Sequence, residues 1–279
     1  MVAVDSGRFA SAAPDVQYGV YGNWPRIAIS AVNRITSMTS TTFEKRLSLS
    51  SVPLVRLNEE NKPDGFASGA LIDYGGKRVL LTVWHATRDQ KKWAVQVKYE
   101  SGKGTLNRVI GSMNFLVKGS LAKRSAKLES VDFSYAIVPP DLVAYRQEIG
   151  FPEIIKSEVP ITVHAPTLLD VPALGENYGF CGLVLPTRED HFGKTYIERQ
   201  QRVCHQLSFL RTEGDSHYFS LPIPHPGHEH FKGCSGAPIL SEKGAFVGLL
   251  CGGDTGADEI RAVSTKACKT PIDILVGHI

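Results

Sequence analysis

Residues 231–240 read FKGCSGAPIL, and this stretch decides how the rest of the chain is read. Small residues crowd Gly233 to Pro238, and the chain then turns apolar through Ile239 and Leu240. That density marks a tight turn feeding a buried strand. Gly233 can adopt backbone angles closed to other residues, and Pro238 rigidifies the exit. Gly236 and Ala237 read as small residues that leave room for a bound molecule. Such a turn can present the Ser235 hydroxyl together with the N–H groups of Gly233 and Ser235. Aimed N–H donors of this kind stabilise an oxygen on which negative charge develops.

The bulk properties are those of a globular protein. The chain has 279 residues, 42% hydrophobic and 21% charged, with a formal net charge of +3. This is enough chain for one large domain or two small ones. The mild charge, without a basic cluster, argues against a nucleic-acid partner. The longest apolar runs are strand-length, which argues against a membrane partner. The opening MVAVDSGRFASAAPDV has no basic start and no continuous apolar stretch, so no secretion leader is expected. The five cysteines are odd in number and match no zinc spacing. They read as reduced thiols in a cytoplasmic protein.

Residues 1–50 are polar and weakly patterned and read as an N-terminal extension. Within them IAISAVNRI (27–35) suggests a short amphipathic helix, and SMTSTTFEKRLSLSS (37–51) a linker. From there short β-rich runs follow: VPLVRL, GFASGALIDY, KRVLLTVWH, WAVQVKYE, NRVIGSMNFLV and DFSYAIVPP. A second set runs from VPITVHAP through NYGFCGLVLP, YIERQQRVCHQLSFL, HYFSLPI, GAPIL and AFVGLLCGG to IRAVST. Gly75-Gly76 and the SEKGAFVG segment (241–248) are hairpin cues. Helical crossovers are missing, which excludes a doubly wound α/β fold. The pattern predicts an all-β protein of two six-stranded antiparallel β-barrels, over 51–150 and 151–279. Only TPIDILVG (270–277) predicts a helix, a short one at the C-terminus.

Three motifs carry chemistry. LLTVWHA ends a strand at His85, VDFSYAIV opens one with Asp132, and GCSGAP holds Ser235 in its turn. A serine hydroxyl is a poor nucleophile at neutral pH and needs an imidazole to take its proton. The imidazole needs a carboxylate to fix its tautomer. Each residue alone is an ordinary turn or rim residue; the order of the three, each at a strand end, is the signal.

With these motifs the chain resembles the trypsin-like (chymotrypsin-fold) serine proteases over about residues 51–270. The family's Thr-Ala-Ala-His, Asp-Ile-Ala-Leu and Gly-Asp-Ser-Gly-Gly-Pro read here as TVWH, DFSY and GCSGAP. SGALI (68–72) resembles the strand before the histidine, and VGLLCGG (247–253) the strand beside the specificity pocket. The resemblance implies a serine endopeptidase acting on protein or peptide substrates without a cofactor. It makes Ser235 the nucleophile, His85 the general base and Asp132 its orienting acid. The oxyanion hole falls to the amides of Gly233 and Ser235. Substrate binding falls to Cys251, Gly252 and Gly253, and Glu229 stands near the pocket acid. Cys234 replaces an acid that, in zymogen-type relatives, pairs with a freed N-terminus. No Ile-Val-Gly-Gly-like start heads the first barrel, and the disulfides of secreted relatives have no counterpart. This implies an intracellular type, restrained by a regulatory partner or by residues 1–50.

Three rival readings remain. Cys234 as nucleophile stands one position early, so its side chain is expected inside the barrel. HPGHEH (225–230) offers His225, His228, Glu229 and His230, but its Pro-Gly segment cannot form the helix of a zinc hydrolase motif, and no metal is expected. A catalytically idle protease-fold binding module is the alternative to an enzyme.

Overall fold

The structure is a computed structural model. It describes residues 2–4, 16–18, 42–89, 92–100, 104–111, 113–118, 129–150, 154–191, 194–225, 227–253 and 256–278. The expected helix at 27–35 lies outside the described residues. The first half holds β1 (Val2–Val4), β2 (Val16–Tyr18), α1 (Thr42–Ser48), β3 (Val52–Leu57), β4 (Pro63–Tyr74), β5 (Lys77–Thr82), α2 (Trp84–Thr87), β6 (Lys92–Glu100), β7 (Gly104–Val109), β8 (Asn114–Lys118) and β9 (Glu129–Val138). A connector carries β10 (Tyr145–Gly150), β11 (Ile154–Pro160) and β12 (Val163–His164). The second half holds β13 (Asn177–His191), β14 (Lys194–Glu213), β15 (Ser216–Ser220), α3 (His228–Phe231), β16 (Pro238–Ser241), β17 (Phe246–Gly253), β18 (Glu259–Ser264) and α4 (Thr265–Val276).

The fold is mostly β, as the short runs between turn residues require. The second half is a closed barrel of six strands, β13-β14-β15-β18-β17-β16. The first half is a partly barrel-like sheet in the order β1-β8-β9-β5-β4-β3-β6-β7-β2. The sequence reads 107–117 as one strand, but it is two. β7 pairs with β6, and β8 pairs with β9 on the other side of the ring. β7 and β8 thus lie toward opposite ends of the path, which ends at its outer edges with β2 on β7 and β1 on β8.

Both hairpin cues form. Gly75 and Gly76, at φ +57° and +71°, close a two-residue loop between Tyr74 and its partner Lys77. Gly244, at φ +93°, turns β16 into β17. The linker expectation fails over Thr42–Ser48, which is helical. Phe43 and Leu47, four apart, share one face of α1, and Leu47 is fully buried in the core between the halves. At the other terminus α4 begins earlier than expected, at Thr265. Its N-cap Ser264 accepts the amide of Lys266, and Gly277 in the left-handed conformation ends it.

Continuous apolar runs such as RVLLTV and VGLLC are explained by burial of both sheet faces. Alternate residues of β4, β5 and β9 point two ways. Leu71, Leu80 and Ala136 fill the first half, whereas Ile72, Leu81, Phe133 and Tyr135 meet the second. The second half answers with the same alternation. Ile239, Val247, Leu250 and Ala262 fill its barrel, and Leu240, Leu249, Cys251 and Val263 face the first half. Each fully buried Leu or Phe of this shared layer contributes about 1.5–3 kcal/mol. The layer therefore holds the two halves, and the strand ends that carry the site, in one register.

Candidate active site

The three residues singled out in the sequence converge at the junction of the halves. β5 ends at Thr82, and the single helical turn of α2 follows, carrying His85. The backbone N–H of His85 donates to Asp132 Oδ1 at 2.9 Å. The ring Nδ1 lies 2.8 Å from Asp132 Oδ2 and 3.0 Å from Oδ1. An ionised carboxylate only accepts, so Nδ1 carries the proton and Nε2 is left as the acceptor. Nε2 stands 3.0 Å from Ser235 Oγ. Backbone and ring thus grip one carboxylate, which sets both the orientation and the tautomer of the imidazole. Trp84, beside His85, rests its ring against Phe115 of β8, the neighbour of the strand that carries Asp132.

The charge balance of the site favours ionised Asp132. Burial works to raise its pKa, but the hydrogen bonds and charge of His85 outweigh it and hold the carboxyl below its ordinary value. The nearby Cys251 thiol donates to the Leu249 carbonyl oxygen at 3.4 Å and accepts the Val263 amide at 3.1 Å. Cys251 was expected at the substrate. Its side chain is buried, and Gly252 and Gly253 beside it are exposed.

The turn around Ser235 is held from two sides. Gly233 has φ +101°, and a Cβ there would stand 2.2 Å from the carbonyl oxygen of Leu183 on β13. Gly236 has φ +89°, and a Cβ there would stand 2.1 Å from the carbonyl oxygen of Ser68 and 2.3 Å from Thr82 Oγ1. The room that Gly236 leaves is therefore filled by the first half of the molecule, not by a ligand, which corrects the sequence reading. Ser68 donates its amide to the Ser235 carbonyl at 2.9 Å and its hydroxyl to the Gly233 carbonyl at 2.7 Å. Thr82 donates its hydroxyl to the Ser68 carbonyl at 2.7 Å. Among the described residues, the amides of Gly233 and Ser235 donate to no backbone acceptor.

Cys234 lies fully buried in the second barrel, as its register requires. A Cβ on Gly182 would sit 2.5 Å from its sulfur, so only glycine fits beneath the thiol. Burial pushes that thiol's pKa up, and the neighbouring Cys181 and Cys204 add to the shift, so Cys234 stays protonated.

Beyond Leu250, the edge of β17 that faced β16 has no partner among the described residues. Among the described residues, Gly252 and Gly253 thus offer an open strand edge close to the Ser235 turn, whose Gly236 amide donates to the Leu250 carbonyl. Beneath Gly253, His225 and Ile260 approach to 3.0 Å of where a Cβ would stand. His225 is buried, its ring 4.7 Å from that of Phe231, and its Nδ1 accepts the Gly227 amide at 3.1 Å. Glu229 belongs to α3, but its side chain lies outside those described. Among the described residues, no group of three His, Cys, Asp or Glu could hold a metal ion. No helix among them is long and apolar enough to cross a membrane.

Two features of the site escaped the sequence reading. Ser68 and Thr82 lie in ordinary strand patterns, and only the meeting of the halves gives them a role at the turn. Ile260 under Gly253 is likewise an interior strand residue until the register of β17 on β18 is known.

No protein-family model matches the chain, and no curated protein matches it in sequence. Solved structures do match. The human heparin binding protein is 12% identical, covering 84% of this chain and 94% of that one, with a TM-score of 0.52. A serine endoprotease from Yersinia pestis is 13% identical over 86% of this chain and 68% of that one, at a TM-score of 0.49. The tobacco vein mottling virus protease is 10% identical over 84% and 86%, at 0.45. With its closed six-stranded barrel, second barrel-like sheet and short C-terminal helix, the chain has a chymotrypsin-like fold.

Proposed function

We propose that the protein is a serine endopeptidase that hydrolyses peptide bonds through an acyl-enzyme intermediate. One observation carries this reading: His85 joins the Asp132 carboxylate at Nδ1 and reaches Ser235 Oγ with Nε2 at 3.0 Å. As Ser235 Oγ bonds to the scissile carbonyl carbon, its proton passes to His85 Nε2. The carbonyl oxygen gains the negative charge, which the amides of Gly233 and Ser235 stabilise. His85 then gives the proton to the leaving amine nitrogen as the C–N bond breaks. Water repeats the sequence to release the acyl group.

The open edge at Gly252 and Gly253 supports an extended peptide substrate, which would add to β17 as an antiparallel strand. Glu229 would contribute to the choice of side chain at the cleaved bond, as the resemblance implies. The five cysteines are free thiols, which supports a reducing, cytoplasmic setting. Neither a nucleic acid nor a membrane enters this reading. Restraint of the activity would fall to a regulatory partner or to residues 1–50.

A fluorophosphonate probe tests the proposal. Wild type and Cys234→Ala should be labelled and Ser235→Ala should not. If wild type stays unlabelled, the idle binding module takes the enzyme's place.

A further inference from the structure

We propose that Ser68 is a positioning residue for the oxyanion turn, acting through its hydroxyl; this rests on the serine-hydrolase reading above. The turn contains the two residues whose amides must point at one oxygen, and Gly233 is the one with the freest backbone. A flexible residue at that point requires an anchor. Cys234 provides none of the usual kind, being an uncharged thiol sunk in the barrel. The anchor comes from the other half of the molecule. Ser68 is 2% exposed, and its Oγ donates to the Gly233 carbonyl at 2.7 Å. Its amide donates to the Ser235 carbonyl at 2.9 Å.

The two bonds hold the carbonyls on both sides of Cys234, so the peptide planes that border the paired amides cannot turn independently. Any residue at position 68 supplies the backbone bond. The bond to Gly233 needs a side-chain donor, which the Ser68 hydroxyl supplies. Thr82 in turn holds the Ser68 carbonyl, and the same oxygen packs against Gly236. The Leu183 carbonyl closes the opposite flank of Gly233. Without the hydroxyl, the Gly233 carbonyl is buried with a lost partner, and rotating to find another would carry its peptide with it. Because the donors act on charge that appears only during attack, loosening them lowers turnover and leaves ground-state binding in place.

The test uses the full chain as wild type, Ser68→Ala and Ser68→Thr. Three quantities are read: kcat and KM on a peptide ester, the rate of fluorophosphonate labelling, and amide hydrogen exchange over residues 231–237. Ser68→Ala should lose about 10- to 100-fold in kcat and labelling rate with KM within about twofold. Exchange in the turn should rise, and Ser68→Thr should recover most of both. Unchanged kcat and unchanged exchange in Ser68→Ala would overturn the assignment, as would a change confined to KM. If wild type neither turns over ester nor labels, the enzyme reading falls. Exchange then decides alone: a turn loosened in Ser68→Ala and restored in Ser68→Thr keeps the positioning role, and equal exchange in all three removes it.

Discussion

The Cys251 thiol donates to the Leu249 carbonyl oxygen at 3.4 Å and accepts the Val263 amide at 3.1 Å, which fixes the sulfur within reach of the Asp132 charge. Burial first, and then the Asp132 charge, push the thiol pKa well up, so the sulfur is a neutral neighbour rather than a competing anion. A single hydrogen bond of this kind is worth on the order of 1 kcal/mol. Cys251→Ala should therefore lower kcat about fivefold with KM unchanged, and Cys251→Ser should stay near wild type. Steady-state kinetics on a peptide ester measures the split. A raised KM with kcat intact would return Cys251 to the substrate.

Asp132→Asn separates orientation from charge. An amide can present an N–H to His85 Nδ1, which flips the imidazole to the tautomer with a protonated Nε2 and removes its ability to accept from Ser235. Turnover should fall by about 10³- to 10⁴-fold, the scale of such substitutions in triad enzymes generally. Near-ultraviolet circular dichroism should remain that of the folded protein. A loss under tenfold would show that His85 keeps its tautomer without the carboxylate.

Gly236→Ala tests the close approach of the halves. The added carbon would stand 2.1 Å from the Ser68 carbonyl oxygen, at a φ of +89° that side chains rarely adopt. Both the collision and the strain act at the turn itself. Denaturant unfolding should show a loss of about 2–4 kcal/mol, and labelling of Ser235 should drop with it. Gly76, with φ +71° but open space around it, is the control, since alanine there meets the strain without the collision.

His217 gives the second barrel an acid limit. Its side chain is 1% exposed, with Nδ1 2.8 Å from Thr212 Oγ1 and Nε2 unpartnered among the described residues. Burial lowers its pKa from 6.5 to about 4. The folded state holds the ring neutral, whereas the unfolded chain takes up a proton once the pH falls below 6.5. Its contribution to stability is complete above pH 6.5 and is lost as the pH drops toward 4, on the order of 3 kcal/mol in all. Unfolding free energies measured from pH 7.5 to 4 should show this slope in wild type and a shallower one in His217→Gln. Equal slopes would place the acid limit elsewhere. His164, its pKa lowered chiefly by burial, works in the same direction.

Local pattern made a large part of this molecule legible. Strand runs such as 52–57 and 245–253 lie where β3 and β17 form, because apolar texture and turn residues are short-range signals. His85, Asp132 and Ser235 stand out because each ends or opens such a run. What stayed hidden depends on partners far away in the chain. The break between β7 and β8 is made by β6 and β9 pulling on the two ends of one apolar stretch. Gly236 reads as space for a ligand until Ser68 is brought against it. Ser68 itself looks like any small strand residue, since the Gly233 carbonyl that it meets arrives only when the halves close. In α1 the Phe43 and Leu47 pair was present in the sequence but outweighed by the polar residues around it.

The open strand path of the first half also divides the candidate machinery unequally. Ser235 leads into β16 of a closed ring, whereas His85 and Asp132 stand on a sheet whose strand path, among the described residues, runs from β1 to β2 without closing. β5 and β9, which precede His85 and carry Asp132, are hydrogen-bonded neighbours inside that path. Breathing of the first half would therefore carry imidazole and carboxylate as a single body. Their mutual contact would survive, and the 3.0 Å span to Ser235 would open and shut first.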